Sequence, residues 1–312
     1  MDYLQELHMA NNSLISVIIP TYNRAALLGR AIRSVLKQSY RNIEVIVVDD
    51  ASTDYSKAVV KRLSDKRLSY IRHERNMGGA EARNTGIKAA KGQYIAFQDS
   101  DDEWMPDKLE KQIQVFNSAD ADIGVVYCGF LYVRGNDRKY IPARAVIKRK
   151  ENVYEQLLNE NFVSTQTLLV KREVFDRVGI FDENLPRYHD WELVIRMAEE
   201  YAFGFVDEPL VLVYSTPVSI TANGITRVKA REIILEKHYA SLSKYPSILA
   251  RQFRDLGNFK CVYDSCSSGR VFLLKAIQTK PTYLSALLAY LLSFAGKWLY
   301  RKIYFNLYKK VA

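Results

Sequence analysis

The chain has 312 residues, 48% of them hydrophobic and 26% charged, with a net charge of +10 and three cysteines. That balance excludes a disordered or disulfide-stapled chain and predicts one large α/β domain with an appendage. Nucleic acid is an unsuitable partner, because the charge is concentrated: eight basic residues, from Arg270 to Lys310, meet no acid after Ser265, and the other 264 residues carry only about +2. Cys128, Cys261 and Cys266 form no CxxC pair, which argues for a reducing compartment and against structural zinc. The polar leader, residues 1–13, lacks a basic segment followed by an apolar one, so a cytoplasmic location is expected.

In chain order, Leu14 to Pro20 is an apolar run closed by proline and reads as a buried strand. Asn23 is placed to cap a helix through Gln38, with Leu28, Ile32, Val35 and Leu36 on one face. Ile43 to Val48 is a second buried strand, running into Asp49-Asp50-Ala51-Ser52-Thr53-Asp54 and a helix from Tyr55 to Leu63. Leu68 to Ile71 is a third strand, Asn76-Met77-Gly78-Gly79 a loop, and Ala80 to Ala90 a helix. Gln93 to Phe97 is the fourth strand and ends in Gln98-Asp99-Ser100-Asp101-Asp102. This rhythm is that of a mostly parallel sheet flanked by helices.

Three strands thus end in polar loops, and in an open parallel sheet those ends share the edge where ligands bind. Adjacent carboxylates disfavour one another's ionisation unless a cation or donors sit among them, and Asp99-x-Asp101 lets alternate carboxylates turn toward one divalent ion. The first turn is Pro20-Thr21-Tyr22-Asn23-Arg24, neither GxGxxG nor a P-loop. Asp49 is suited to accept from a base imino hydrogen, Tyr22 to stack on the base and Asp99 to accept from ribose hydroxyls. An ion on Asp101 would neutralise a diphosphate, which together describes a nucleotide-diphosphate pocket closed by a metal.

Farther on, a helix is expected from Pro106 to Asn117, a strand over Val125 to Val133 with its turn at Arg134 to Asp137, and a mobile basic loop over Arg138 to Glu151. Val163 to Val170 reads as a strand, Lys171 to Val178 as a helix, Trp191 to Tyr201 as another, and Phe203 to Tyr214 as a closing strand or pair. Asp190 at a helix start has the position of an N-cap. In the tail, Arg231 to Tyr239, Ile248 to Phe259 and Arg270 to Gln278 are helical in pattern. Pro281 to Gly296 carries no charge but is too short for a confident transmembrane span, and Lys297 to Lys310 interleaves aromatics with cations. Residues 281–310 therefore have the composition of an anchor on an anionic membrane surface, with an oligomer interface as the alternative.

Ile18-Ile19-Pro20-Thr21-Tyr22-Asn23, Val47-Val48-Asp49-Asp50-Ala51-Ser52-Thr53-Asp54, Asn76-Met77-Gly78-Gly79 leading to Ala82-Arg83-Asn84-Thr85-Gly86, and Gln98-Asp99-Ser100-Asp101-Asp102 resemble, in order and interval, the successive motifs of glycosyltransferase family 2. The resemblance covers roughly residues 14 to 215. It implies a GT-A fold and an inverting, metal-dependent transfer from a nucleotide-activated sugar, with a uridine donor as the prior. It implies a catalytic domain over 14–222, its nucleotide half 14–102 and its acceptor half 103–222, followed by a helical extension over 223–312.

Residue by residue, the resemblance places Thr21, Tyr22, Asn23, Asp49, Asp50, Arg83, Asp99 and Ser100 around the nucleotide and donor. Asp101 is placed on Mn2+ or Mg2+ and Asp190 as catalytic base, while helix capping or support stays open for Asp50 and Asp102. Trp104, His189 and Trp191 are acceptor-side candidates. His189 stands where the family often has an acid, and the run from Tyr214 to Thr221 lacks the arginine and histidine that often follow, leaving the metal to Asp101, diphosphate oxygens and water. The expected protein is a glycosyltransferase on the cytoplasmic face of the membrane, acting on a lipid-linked glycan in surface polysaccharide assembly. The alternatives are a transferase on a soluble acceptor with the tail as homo-oligomer interface, and a non-catalytic nucleotide-sugar-binding subunit.

Overall fold

The computed structural model describes residues 12–118, 123–142, 153–215 and 224–308. Most of the polar leader, most of the basic segment 138–151, the stretch from Thr216 to Thr221 and Lys309-Lys310 lie outside the described residues.

The first half alternates as its apolar runs require: β1 (Ile15–Thr21), α1 (Ala25–Leu36), β2 (Ile43–Asp49), α2 (Ser56–Leu63), β3 (Leu68–Arg72), α3 (Gly79–Ala89) and β4 (Tyr94–Phe97). Then come β5 (Glu103–Trp104), α4 (Lys108–Ser118), β6 (Ile123–Arg134), β7 (Asp137–Ile141), α5 (Val153–Asn159), a 3-10 turn (Thr165–Thr167), β8 (Leu169–Lys171), α6 (Arg172–Val178), α7 (His189–Glu200) and β9 (Ala202–Tyr214). The described strands form a nine-stranded sheet in the order β3-β2-β1-β4-β8-β6-β9-β5, with β7 hydrogen-bonded to β6. β3, β2, β1 and β4 run parallel, and β6 and β9 share their direction, whereas β8, β5 and β7 oppose it. The strand order reverses between β1 and its neighbours β2 and β4, so a crevice opens at their carboxyl ends.

Alternation decides the packing. Ile15, Val17 and Ile19 turn to one core with Leu28, Ile32 and Val35 of α1, and Ala96 of β4 joins them. Ile18 turns the other way, toward α3, and the fit there depends on Gly86: a Cβ at that position would lie 2.3 Å from Ile18 Cγ2. Glycine therefore lets the helix that carries Arg83 lie directly on β1.

Several expectations need correction. Asn23 does not cap α1. It has φ +51, its backbone N–H donates to Ser52 Oγ at 2.9 Å, and its Oδ1 accepts from Thr53 N at 2.8 Å, so it ties the β1 loop to the β2 loop. The cap comes from the neighbouring loop, where Asp54 Oδ2 accepts from Ala25 N at 2.9 Å. Residues 138–141, expected in a mobile loop, are the strand β7 paired with β6. The strand expected over 163–170 is interrupted by a 3-10 turn at Thr165–Thr167, and only Leu169–Lys171 joins the sheet, because Thr167 Oγ1 and N both bond the Ser164 carbonyl instead. α4 starts at Lys108, two residues after Pro106, since Glu103–Trp104 first pairs with β9.

The chain divides into two compact units. The first comprises residues 1–157, 161–183 and 189–218; the second comprises 158–160, 184–188 and 219–312. Within the second, α8 (Gly224–Lys237), α9 (Tyr239–Leu242), α10 (Pro246–Tyr263), α11 (Cys266–Thr279), α12 (Leu284–Leu292), a 3-10 turn (Ser293–Ala295) and α13 (Lys297–Tyr308) form a helical bundle. Its helices begin earlier or run longer than the charge pattern suggested. Cys261, Val262, Cys266, Leu273 and Tyr300 form a core there, and Tyr300 Oη donates to Asn258 Oδ1 at 2.6 Å. The three cysteines are buried and free. Among the described residues, no helix is long and apolar enough to cross a membrane.

Candidate active site

The ends of β1, β2 and β4 place Thr21, Asp49 and the turn after Phe97 side by side, because the parallel register aligns Thr21 with Asp49 and Ile18 with Phe97. Tyr22 projects from this edge, 46% exposed, and offers a ring face. Thr21 Oγ1 and both side-chain polar atoms of Gln98 are buried without a hydrogen-bond partner among the described residues. Polar groups rarely stay buried in that condition, so a ligand group or an ordered water is the partner these strand-end atoms require.

The two β2 carboxylates are fully buried and differ in their partners. Asp49 accepts from Ser52 N at 2.7 Å and from the Tyr70 hydroxyl. Asp50 accepts from Met77 N at 2.8 Å, Gly78 N at 2.7 Å and His73 Nδ1 at 2.8 Å, while His73 Nε2 lies 3.0 Å from Thr85 Oγ1. Asp50 is thus the anchor of the Asn76–Gly79 loop, where Gly78 has φ +95, a conformation that side chains avoid.

On α3, Arg83 reaches across to Asp99, Nη2 to Oδ1 at 2.7 Å. Next door Asn84 is wholly buried: its Oδ1 accepts from Phe181 N at 3.0 Å, and its amide donates to the Phe181 carbonyl at 2.9 Å and to Glu183 at 2.7 Å. Neighbouring residues of one helix turn therefore hold the acidic turn and the loop that leads toward Asp190.

In the acidic turn, Asp101 Oδ2 is 3.7 Å from Arg24, and its carbonyl accepts from Arg30 at 2.5 Å. Arg30 also stacks 4.0 Å over the Tyr214 ring and lies 3.8 Å from Glu103. Asp102 is buried and accepts from Tyr214 N at 3.1 Å. Burial, reinforced by the charges of Asp99 and Asp101, pushes its carboxyl up to about 9, although the Tyr214 N–H and Arg30 pull the other way. Asp102 therefore supports β9 through the Tyr214 N–H. Ser100 is buried between these acids.

Asp190 lies in the first turn of α7, its Oδ1 accepting from Trp191 N at 2.8 Å and its Oδ2 3.5 Å from the Asn161 amide. Burial is the largest influence on its carboxyl and raises it above the ordinary carboxylate range; the Trp191 N–H, Arg83 and Asn161 oppose that, and Asp99 adds to it. The charges of Arg83 and Asp99 thus act on a carboxylate about ninety residues later in the chain. α7 is fixed by Glu192, wholly buried and paired to Arg196 at 2.9 and 2.8 Å, and Arg196 also donates to the carbonyls of Val178 and Ile180.

Two acceptor-side candidates are corrected. Trp104 and Trp191 are each 2% exposed. Trp104 Nε1 donates to the Gln166 carbonyl at 3.1 Å, and Trp191 Nε1 to the Leu157 carbonyl at 2.7 Å. Both rings are core, because an indole buries a large apolar area once its N–H has a partner. His189 is half-buried at the start of α7.

Sequence reasoning missed Arg24, Arg30, Tyr70, His73, Asn84 and Asn161. Charge balance is the signal that could have found the arginines: three carboxylates in four residues require nearby donors, and Arg24 follows the first strand directly.

The residues present fit a divalent ion in one respect only. Asp99 and Asp101 remain partly exposed and supply oxygen ligands, but no group of three metal-ligating side chains exists among the described residues. The chain would contribute one or two carboxylates, and a diphosphate and water the rest, as is usual for Mg2+ and its analogues.

Residues 16–179 match the family model described as glycosyl transferase family 2. An uncharacterized glycosyltransferase of Rickettsia prowazekii is 30% identical over 241 residues, 76% of this chain and 75% of its own. The putative colanic acid biosynthesis glycosyl transferase WcaA of Escherichia coli is 35% identical over 200 residues, covering 62% of this chain and 69% of its own. Among solved structures, S. aureus TarS in complex with UDP-GlcNAc superposes with a TM-score of 0.68 at 20% identity, over 85% of this chain and 81% of that one. The mannosyltransferase PcManGT of Pyrobaculum calidifontis, in complex with GDP-Man and Mn2+, gives 0.60 at 20% identity, over 92% and 85%. These likenesses show the GT-A fold.

Proposed function

The chain belongs to glycosyl transferase family 2, and from that premise we propose that it is an inverting, metal-dependent glycosyltransferase that moves a sugar from a nucleoside-diphosphate donor to a glycan hydroxyl. The observation that carries this reading is the pairing of Arg83 with Asp99 at 2.7 Å, next to Asn84, whose side chain holds the Phe181–Glu183 loop that leads to Asp190. Nucleotide chemistry on the β1, β2 and β4 ends is thereby joined to a base candidate on α7.

Tyr22 stacks on the base, Asp49 accepts from its imino hydrogen, and Thr21, Asn23 and Ser100 border the nucleotide. Arg83 and Asp99 hold the ribose and donor side, with Asp50 keeping the loop before α3 in place. Asp190 takes the proton of the acceptor hydroxyl as its oxygen forms a bond to the anomeric carbon. On the opposite face the bond from that carbon to the diphosphate breaks, and the electron pair leaves with the nucleoside diphosphate, inverting the configuration. Asp101, with Asp99 nearby, would hold Mn2+ or Mg2+, which when bound would supply charge neutralisation for that leaving group. His189, beside Asp190, is placed for the acceptor.

UDP-sugar is the donor we favour, since TarS, a structural neighbour, is in complex with UDP-GlcNAc, while Asp49 suits the imino hydrogen of uracil, thymine or guanine alike. A relative named for colanic acid biosynthesis supports surface polysaccharide as the product, and a lipid-linked acceptor on the cytoplasmic face of the membrane suits the basic, apolar tail.

Thermal-shift screening of nucleotide sugars with Mn2+ tests the donor assignment, because a ligand that binds only the folded state raises Tm. We expect one UDP-sugar to stabilise the protein in the presence of Mn2+, and Asp101→Ala to remove the metal-dependent part. Stabilisation by all nucleotides alike, or undiminished transfer by Asp101→Ala, would contradict the assignment.

A further inference from the structure

α12 and α13 present a face whose chemistry is separate from the strand-end site. On α12, Leu284, Leu287, Leu288 and Leu291 are exposed at positions i, i+3, i+4 and i+7, and Phe294 in the following turn is exposed with them. The orientation is fixed from behind: Ala286 and Ser293 are buried, and Ala289, Tyr290 and Leu292 pack on the bundle core. On α13, Tyr300 is buried in that core with Tyr304 packed against it, while the outward side carries Trp298, 73% exposed. There Lys297, Trp298, Arg301, Lys302 and Phe305 line an open groove of about 520 Å³, with Lys302 Nζ 5.2 Å from the Trp298 ring. Lys297 also donates to the Asp264 carbonyl at 2.6 Å, which steadies the start of α13.

We propose that this face is a seat on an anionic lipid bilayer, in which the leucine stripe of α12 enters the hydrocarbon boundary and the Arg301–Lys302 groove of α13 holds headgroup phosphates beside Trp298. Charge selects the occupant. No acid occurs after Ser265, so the partner must supply the negative charge. A second copy docked by two-fold symmetry would bring two copies of the same cationic patch into one interface without an acid from either tail to offset them. An apolar stripe on α12 followed in the chain by an aromatic-cationic groove on α13, with no described helix long and apolar enough to span, matches the composition of a membrane surface, where hydrocarbon meets phosphate. The inference deepens the reading of a membrane-held acceptor and rests on it only for its purpose; it requires no transfer activity.

The chain has three tryptophans, and Trp104 and Trp191 are buried, so a change in emission on adding lipid reports Trp298. Full-length protein is mixed with phosphatidylcholine vesicles, with and without phosphatidylglycerol, and followed by emission and flotation. We expect a blue shift and flotation with the anionic vesicles only, both reversed by salt. Arg301→Ala/Lys302→Ala should weaken partitioning about 25-fold, at roughly fivefold per cation. Leu288→Asp should abolish the blue shift while the far-UV spectrum is retained. Equal binding to neutral vesicles, no shift of Trp298, unchanged partitioning of the double variant, or a concentration-dependent dimer broken by Leu288→Asp would overturn the proposal. Transfer assayed on the same proteins keeps the readings apart: vesicle binding without transfer defeats the enzymatic reading, and transfer without vesicle binding defeats this one.

Discussion

At the ends of β1, β2 and β4, five carboxylates each have a partner from the same chain: Tyr70 for Asp49, His73 for Asp50, Arg83 for Asp99, Arg24 for Asp101 and the Tyr214 N–H for Asp102. On α12 and α13 the pattern is reversed, with cations and leucines presented outward and no acid in the sequence after Ser265. The first region is built to hold charges at fixed positions, where they select and orient a small ligand. The second is built to meet a broad, uniform field, where position matters little and the sum of charge and apolar area matters most. Single substitutions should therefore act sharply in the first and gradually in the second.

Asp50→Ala should give the largest loss of stability. It strands the Met77 and Gly78 N–H groups and the His73 ring, and losing these part-buried hydrogen bonds to a charged acceptor costs roughly 3 kcal/mol. Urea unfolding measures this, and an effect below about 0.5 kcal/mol would show that the loop does not depend on Asp50. Gly78→Ala should cost about 1–3 kcal/mol, because φ +95 disfavours any side chain, and should weaken donor binding through the displaced loop. Titration with a nucleotide sugar checks the second part.

A smaller effect should appear at Lys108. It is fully buried, donates to Gln112 at 2.7 Å and lies 4.0 Å over the Trp104 ring; burial pushes its ammonium down to about 8. A lysine depressed in the folded state is protonated in the unfolded chain and neutral in the folded one above pH 8, so it favours folding increasingly as pH rises. Relative to wild type, Lys108→Met should lose about 1 kcal/mol of any advantage between pH 8 and 9, since both proteins share every other titrating group. A pH-independent difference would place the ammonium in a better solvated environment. At the far end of the scale, Leu288→Gln should change unfolding stability by less than about 0.5 kcal/mol while reducing vesicle binding.

The sequence made the strand ends legible because buried parallel strands are nearly continuous apolar runs, and a polar residue at their carboxyl side stands out. It was less informative where side chains act across long separations. Asn23 has the composition of a cap, and the cap is Asp54, thirty-one residues away. Trp104 and Trp191 adjoin acids in sequence, yet their rings turn inward, since one residue's step along a strand or helix changes the face. The 3-10 turn at Thr165–Thr167 escaped because threonine bonds its own backbone where β-propensity favours a strand. Helices of the tail were found, but their ends were misplaced where polar residues continue a helix beyond its apolar pattern.

The account depends most on Asp190 as the base that completes the strand-end site. Asp190→Asn, assayed for donor binding and for single-turnover transfer across pH, tests it directly. We expect unchanged donor affinity, transfer slowed by roughly 10²–10⁴-fold, and the loss of a wild-type acid limb that lies above the ordinary carboxylate range, because the raised carboxyl must be ionised to accept the proton. Transfer at the wild-type rate, or loss of donor binding with the chemical step intact, would contradict it.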